Sequence, residues 1–288
     1  MSKFVVFSDS ACDLEKETLL NWNVKFVDLS LSFIDDGKIL YNSEINPKEF
    51  YQRMRDGGVA KTSAANSEDF KKSFELELEK GNDILCIGFS SGLSTTFNSA
   101  RLAAIELEEK YPGRKIKVID SLCASSGQAM LVYHACQKRD ENVDLEDAYK
   151  YLEDIKLNMC HFFTVNDLVY LKRGGRISAT TALVGGLLGI KPILHVDNEG
   201  HLVSIGKVRG RRHAIKELAK KYGENVKKVG EGPIYVCHGD CIEDVELLKG
   251  ILKKDYNVDV DMVVNTGPVI GAHSGPGTLA LFFVGNQR

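Results

Sequence analysis

Asp83-Ile-Leu-Cys-Ile-Gly-Phe-Ser-Ser-Gly-Leu-Ser-Thr-Thr-Phe-Asn-Ser-Ala100 joins two periodicities at one turn. The apolar run from Asp83 to Gly88 has the length and composition of a buried strand, and the pattern from Ala100 to Lys110 is helical. Outward from this junction, Phe4-Val-Val-Phe7, Val24-Lys-Phe-Val27 and Ile116-Lys-Val-Ile119 repeat the strand signal. Phe70, Phe74 and Leu78 recur at every fourth position among charged residues, the stripe of a helix that covers a sheet. Strand–helix alternation of this kind predicts a mostly parallel sheet with helices on both faces, a three-layer α/β/α unit. Further helices are expected at 126–139 and 145–158, followed by a strand at His161-Phe-Phe-Thr-Val165. The predicted domains are therefore residues 1–160 and residues 161–288.

The second half reads differently. Ile193-Leu-His-Val196 and Leu202-Val-Ser-Ile205 flank Asp197-Asn-Glu-Gly200, a polar turn ending in glycine, which predicts an antiparallel hairpin. A helix over 211–222, a strand at 234–237, a helix over 242–256 and a strand at 260–264 follow. The expectation is a C-terminal α/β domain with a mixed sheet.

At 288 residues the chain exceeds the usual size of one domain, which agrees with two. With 43% hydrophobic and 27% charged residues it falls in the globular range. No run of about 18 uncharged apolar residues suggests a membrane span, and the first residues enter a strand pattern without a signal segment, so a cytoplasmic location is expected. A net charge of -3 argues against a general nucleic-acid surface; the basic clusters are local, at Arg173 and Arg176 and at Arg209, Arg211 and Arg212. Seven scattered cysteines fit reduced thiols better than a disulfide framework.

The chemistry-bearing segments begin with the turn itself. Six of the ten residues from Ser90 to Ser99 are Ser or Thr, at the start of a helix. One N-cap explains one of them; six, beside unpaired backbone N–H groups and a positive helix dipole, point to an anion site formed by Ser94, Thr95 and Thr96. Gly88 to Gly92 also spells G-x-S-x-G, the nucleophile elbow of α/β-hydrolases, with His273 downstream as a base for Ser90. No acid among Asp240, Asp259 and Asp261 is singled out to orient that histidine. Lys61-Thr-Ser63 offers donors at a loop, and Ser8-Asp-Ser-Ala-Cys-Asp-Leu14 ends a strand where α/β sheets place their ligand crevice. Asp9 and Asp13 there suit turns and caps better than a metal. Gly267-Pro-Val-Ile-Gly-Ala-His-Ser-Gly-Pro-Gly277 predicts a loop of unusual backbone that approaches a ligand closely, with His273 able to hydrogen-bond a carboxylate. Cys237-His-Gly-Asp-Cys241 lacks a second pair for zinc, no phosphate-binding glycine motif is present, and no metal or cofactor is expected.

The ordered set Ser8–Leu14, Lys61–Ser63, Ser90–Ser94 with Asn98–Ala100, Asp167–Ile177, Ile190–Leu194 and Gly267–Gly277 resembles the bacterial DegV family across about residues 3 to 283. The resemblance implies a DegV-like fold and a non-enzymatic, lipid-binding subunit. Such a subunit binds a long-chain fatty acid and presents its carboxylate to a separate ATP-dependent fatty acid kinase subunit, which makes acyl-phosphate for phospholipid synthesis. It further implies that Thr62, Ser94 and His273 hold the carboxylate, with Ser63 and Thr95 as additional head-group residues. Arg173 and Arg209 are implied as contacts for the kinase subunit, and transient membrane contact would accompany fatty-acid exchange. Ala64-Ala-Asn66 and Thr95 depart from the family's usual Gln-Pro-Ser and Gly, which bears on head-group geometry and acyl preference. The acyl chain is expected in a tunnel within the N-terminal domain; for Leu183, Leu187 and Leu188 of the second half, ordinary core packing is a simpler reading than lining a pocket. A serine hydrolase and a small-acid sensor are the competing functions.

Overall fold

The computed structural model describes residues 4–178 and 189–288; Leu183, Leu187 and Leu188 lie outside them. The first half contains strands β1 (Phe4–Asp9), β2 (Val24–Val27), β3 (Ser30–Phe33), β4 (Ile39–Tyr41), β5 (Ala60–Ser63), β6 (Asp83–Gly88) and β7 (Ile116–Asp120). Between and after them lie helices α1 (Lys16–Asn21), α2 (Pro47–Arg55), α3 (Ser67–Leu78), α4 (Thr96–Lys110), α5 (Ser126–Asp140) and α6 (Leu145–Ile155).

Strands β2-β1-β6-β7 form a parallel sheet in that order. Every residue of β6 is buried, as a strand covered on both faces requires, and this is why its sequence runs apolar instead of alternating. On one face α3 and α4 pack through Phe70, Phe74, Ala100 and Ala103. Phe74 meets Phe7 of β1 edge-on, ring centroids 4.9 Å apart. Helix α3 starts in a capping box, the Asn66 side chain on the Asp69 N–H and the Asp69 carboxylate on the Asn66 N–H. On the other face lie α5 and α6. The order reverses between β1 and β6, so the crevice of the sheet opens at Asp9 and Phe89.

A second, smaller sheet was not expected in this half. Strands β4-β3-β5 pair antiparallel, with Thr62 opposite Leu31. Lys61-Thr-Ser63 is therefore a strand and not a loop. Its polar sequence carries no strand periodicity; pairing with β3, about thirty residues away in the chain, makes it one.

The second half runs β8 (Met159–Thr164), α7 (Val169–Arg173), β9 (Ile190–Val196), β10 (Leu202–Arg209), α8 (Arg211–Asn225), β11 (Ile234–His238), α9 (Ile242–Tyr256), β12 (Met262–Asn265), α10 (Pro268–Ser274) and β13 (Leu279–Val284). Its six strands form a mixed sheet ordered β10-β9-β8-β13-β11-β12, parallel only between β11 and β12. The β9–β10 hairpin turns where the sequence indicates: Asp197 Oδ1 accepts the N–H groups of Glu199 and His201 at 2.9 Å, and Gly200 takes φ +80°. The glycine-rich segment 267–277 differs from its expected loop. Pro268 opens helix α10, and left-handed Gly275 (φ +81°) and Gly277 (φ +77°) end it.

One face of the mixed sheet is covered by α8 and α9 through Leu218, Leu248 and Phe283. The other faces α5, whose first two turns are buried all round because both sheets press on it. Two α/β units thus share a core cluster containing Leu85, Met130, Phe163 and Phe282. Gly127 of α5 is required by that contact, since a Cβ there would lie 2.0 Å from His161 Nε2.

Candidate functional site

Three elements bring the predicted head-group residues to one cavity of about 500 Å³, a size typical of small-molecule sites. Thr62 comes from β5, Ser94 from the turn after β6, and His273 from the last turn of α10. Thr62 Oγ1 and His273 Nε2 are 2.8 Å apart. Ser94 Oγ accepts the Thr96 N–H at 3.2 Å and shares a hydrogen bond with Thr96 Oγ1 at 2.8 Å. Ser94 Oγ thus satisfies the N–H of the first residue of α4 while Ser94 lines the cavity. Ser63 and Thr95 also line the cavity, and both are exposed.

Behind this rim the walls are apolar and come from both halves: Leu29, Phe89 and Leu93 from the first, Phe163, Leu202 and Phe282 from the second. The cavity thus lies between the two sheets and is not enclosed by the N-terminal half alone. The physical reason is that β8 and β13 turn an apolar face toward the crevice end of the parallel sheet.

His273 is half-buried, and desolvation, with the Arg176 cation as a second cause, pushes its pKa down to about 4. It is consequently a neutral imidazole at pH 7. Its Nδ1 is buried against Gly174, where a Cβ would lie 2.0 Å away, and has no hydrogen-bond partner among the described residues. A histidine that stays neutral in the fold but protonates in the unfolded chain destabilises the fold as pH drops from 6.5 to about 4. His273→Gln is expected to flatten that part of the profile, measured as urea midpoints at pH values above and below this window; a slope equal to that of the parent protein contradicts it.

The segment after β1 braces the site and does not line it. Asp9 Oδ2 accepts the Phe89 N–H at 2.8 Å and Asp9 Oδ1 accepts that of Ala11 at 3.1 Å. Ser10 Oγ accepts the Leu29 N–H at 2.9 Å. Asp13 accepts the Ser125 hydroxyl at 2.5 Å. Burial raises both acids, Asp9 to about 6 and Asp13 to about 7, against the hydrogen bonds that lower them. Among the described residues no cluster of His, Cys, Asp and Glu could hold a metal. Cys237 Sγ instead accepts the Thr266 hydroxyl and lies 3.3 Å from Ser125 Oγ, whose proton goes to Asp13, while the Cys241 thiol donates to Thr278 O.

The nucleophile-elbow reading fails on geometry. Ser90 is fully buried, its hydroxyl donates to Gly200 O at 2.9 Å and accepts the Gly92 N–H at 3.2 Å, and it is absent from the cavity wall. His273 faces Thr62 and not Ser90. The G-x-S-x-G spelling arises because Ser90 pins the turn to the β9–β10 hairpin: a Cβ on Gly200 would meet its Oγ at 2.1 Å, and a Cβ on Gly92 would meet Glu199 O at 2.8 Å.

Arg173 ends α7 with its guanidinium 5.6 Å from the Tyr170 ring centroid, and Arg209 ends β10; both are exposed and neither lines the cavity. Arg176, read from sequence only as part of a basic cluster, does line it. Nothing in its sequence neighbourhood distinguished it from Arg173. Among the described residues no helix is long and apolar enough to cross a membrane.

With this geometry in place, comparison with known proteins is direct. The model of the DegV family, described as uncharacterised, matches residues 3–286. A DegV domain-containing protein of Clostridium perfringens is 40% identical over 290 residues, covering 100% of this chain and 99% of the relative. A solved fatty-acid-binding DegV family protein from Thermus thermophilus superposes with TM-score 0.87 at 31% identity, covering 99% of this chain and 100% of that one. A stearic-acid-binding protein from Eubacterium ventriosum gives TM-score 0.88 at 30% identity, covering 98% of each chain. The chain belongs to the DegV family.

Proposed function

We propose that this protein binds a long-chain fatty acid in the cavity between its sheets and presents the carboxylate, at Thr62, Ser94 and His273, to a separate ATP-dependent kinase subunit. The observation that carries the reading is the pairing of Thr62 with His273 at 2.8 Å on the rim of an apolar cavity that Ser94 also lines. The described ligands of the Thermus and Eubacterium relatives support it.

Affinity in this reading comes from the chain. Roughly 0.8 kcal/mol per buried methylene gives about 12 kcal/mol for a palmitoyl tail before ordering costs. The head-group contacts select an acid over an ester and fix its orientation. Because Nδ1 of His273 has no partner among the described residues, the tautomer that fits carries its proton on Nε2 and donates it to Thr62 Oγ1. The Thr62 hydroxyl proton is then free for a carboxylate oxygen. Phosphoryl transfer belongs to the partner in this scheme, with the exposed Arg173 and Arg209 as charged docking contacts.

Extraction of the purified protein with organic solvent, followed by mass spectrometry, is expected to release near-stoichiometric long-chain fatty acid. No lipid, together with no uptake of added palmitate, overturns the reading. With a kinase subunit supplied, Thr62→Ala, Ser94→Ala and His273→Ala are each expected to lower acyl-phosphate turnover by about tenfold or more. Normal turnover in all three removes the head-group assignment; lipid retention with no effect on any kinase is the behaviour of a sensor.

A further inference from the structure

We infer that His161 forms a second polar subsite deep in the cavity, an acceptor for a hydroxyl group on the acyl chain, so that the ligands include hydroxylated long-chain fatty acids. This rests on the fatty-acid reading above and adds to it a chain substituent and the residue that recognises it.

His161 lies on the fully buried strand β8, is 3% exposed and forms part of the cavity wall. Its Nδ1 is 2.8 Å from Met159 O; a carbonyl oxygen only accepts, so Nδ1 carries the proton and donates it. Burial, with the Arg288 cation as a second cause, pushes the pKa well below the ordinary histidine value, so the ring is neutral at pH 7. Nε2 is then a bare lone pair, buried and without a hydrogen-bond partner among the described residues. An acceptor so placed is unfavourable when unpaired, and a plain methylene chain offers it no donor.

The ring is held in one orientation. Phe282 meets it edge-on at 5.3 Å between centroids, and Met159 O fixes the opposite nitrogen. A Cβ on Gly127 would lie 2.0 Å from Nε2 but also only 2.6 Å from both Cδ2 and Cε1, which places it over the ring face and not out along the lone pair. Gly127 therefore packs on the ring and leaves the acceptor direction open.

The position suits a chain and not a head group. Two other unpartnered buried atoms on the wall, His273 Nδ1 and Ser274 Oγ, belong to α10 at the head-group end. Thr278 follows that helix, and further along β13 Ala280 pairs with Phe163 and Phe282 with His161. At about 3.3 Å per residue, the step from Thr278 to the level of His161 is about 13 Å, the reach of roughly ten acyl carbons. The wall around it is otherwise apolar, with Phe163, Val196 and Leu202. A hydroxyl in the far half of an extended chain donates to Nε2; a keto oxygen, itself an acceptor, does not.

The test offers the full chain an equimolar mixture of stearate, 10- and 12-hydroxystearate, and 10- and 12-oxostearate, and reads the bound acids by mass spectrometry after removal of free lipid. The parent protein is expected to hold at least one hydroxystearate as well as stearate or better, and about tenfold or more in preference to its keto counterpart. His161→Phe, shown to be folded by its thermal melt, is expected to keep stearate and to lower the ratio of hydroxystearate to stearate by about tenfold or more, because the hydroxyl is then buried without a partner. A parent protein that excludes both hydroxystearates as strongly as the keto acids, while binding stearate, overturns the inference alone, even if His161→Phe does not fold. An unchanged ratio in a folded His161→Phe overturns it as well. Failure to bind any of the five acids overturns the fatty-acid reading and this inference together.

Discussion

Gly174→Ala is expected to lower acyl-phosphate turnover by about 10–100-fold while leaving fatty acid on the protein. Gly174 has ordinary right-handed helical torsions, φ -74° and ψ -9°, so alanine is compatible with the backbone. The whole effect comes from space: the new Cβ would sit 2.0 Å from His273 Nδ1 and 2.9 Å from its Cε1. The imidazole must move, and the 2.8 Å pairing of its Nε2 with Thr62 is lost with it. A hydrogen bond in a charge-assisted chain is worth about 1.5–3 kcal/mol, which sets the size of the effect. In the fatty-acid reading proposed above, the acyl chain lies elsewhere in the cavity and is untouched. A double-mutant cycle separates this from general damage: on a His273→Ala background Gly174→Ala should add almost nothing, because the obstacle is gone. Additive losses in that cycle contradict the account.

Ala280→Phe is expected to lower palmitate affinity by about 100-fold and to shift the bound population toward shorter chains. Ala280 lies on β13, a central strand of the mixed sheet, and is 5% exposed with its side chain on the cavity wall beside Phe163 and Phe282. A phenyl ring placed there occupies volume that a ligand chain would otherwise fill. Excluding roughly four methylenes at about 0.8 kcal/mol each gives about 3 kcal/mol. Mass spectrometry of lipid extracted from the variant reads the result directly. An unchanged chain-length profile in a folded Ala280→Phe protein means that the acyl chain lies elsewhere.

The sequence made much of this protein readable because its long elements are periodic. Phe70, Phe74 and Leu78 predict α3 from spacing alone, and Asp83–Gly88 reads as a doubly covered strand because both its faces demand apolar side chains. The β9–β10 hairpin is legible in Asp197-Asn-Glu-Gly200, where turn chemistry is local. The family resemblance of the ordered motifs implied Thr62, Ser94 and His273, and the fold places all three on one cavity. The Gly88–Gly92 spelling shows the opposite case. Its five residues are shared by a catalytic elbow and by a structural pin, and the choice rests on Gly200, more than a hundred residues away.

Local pattern by itself therefore determined the α/β class, the parallel first sheet and the hairpin. Each of these follows from periodicity or turn chemistry within a few residues. The tertiary structure alone decided that 60–63 is a strand, that Gly267–Gly277 holds a helix, and that the cavity is walled by both sheets. It also decided that Arg176, and not its neighbour Arg173, faces the site. These depend on which distant backbone supplies a strand partner, a carbonyl or an apolar face, and chain-local pattern carries no record of such pairings.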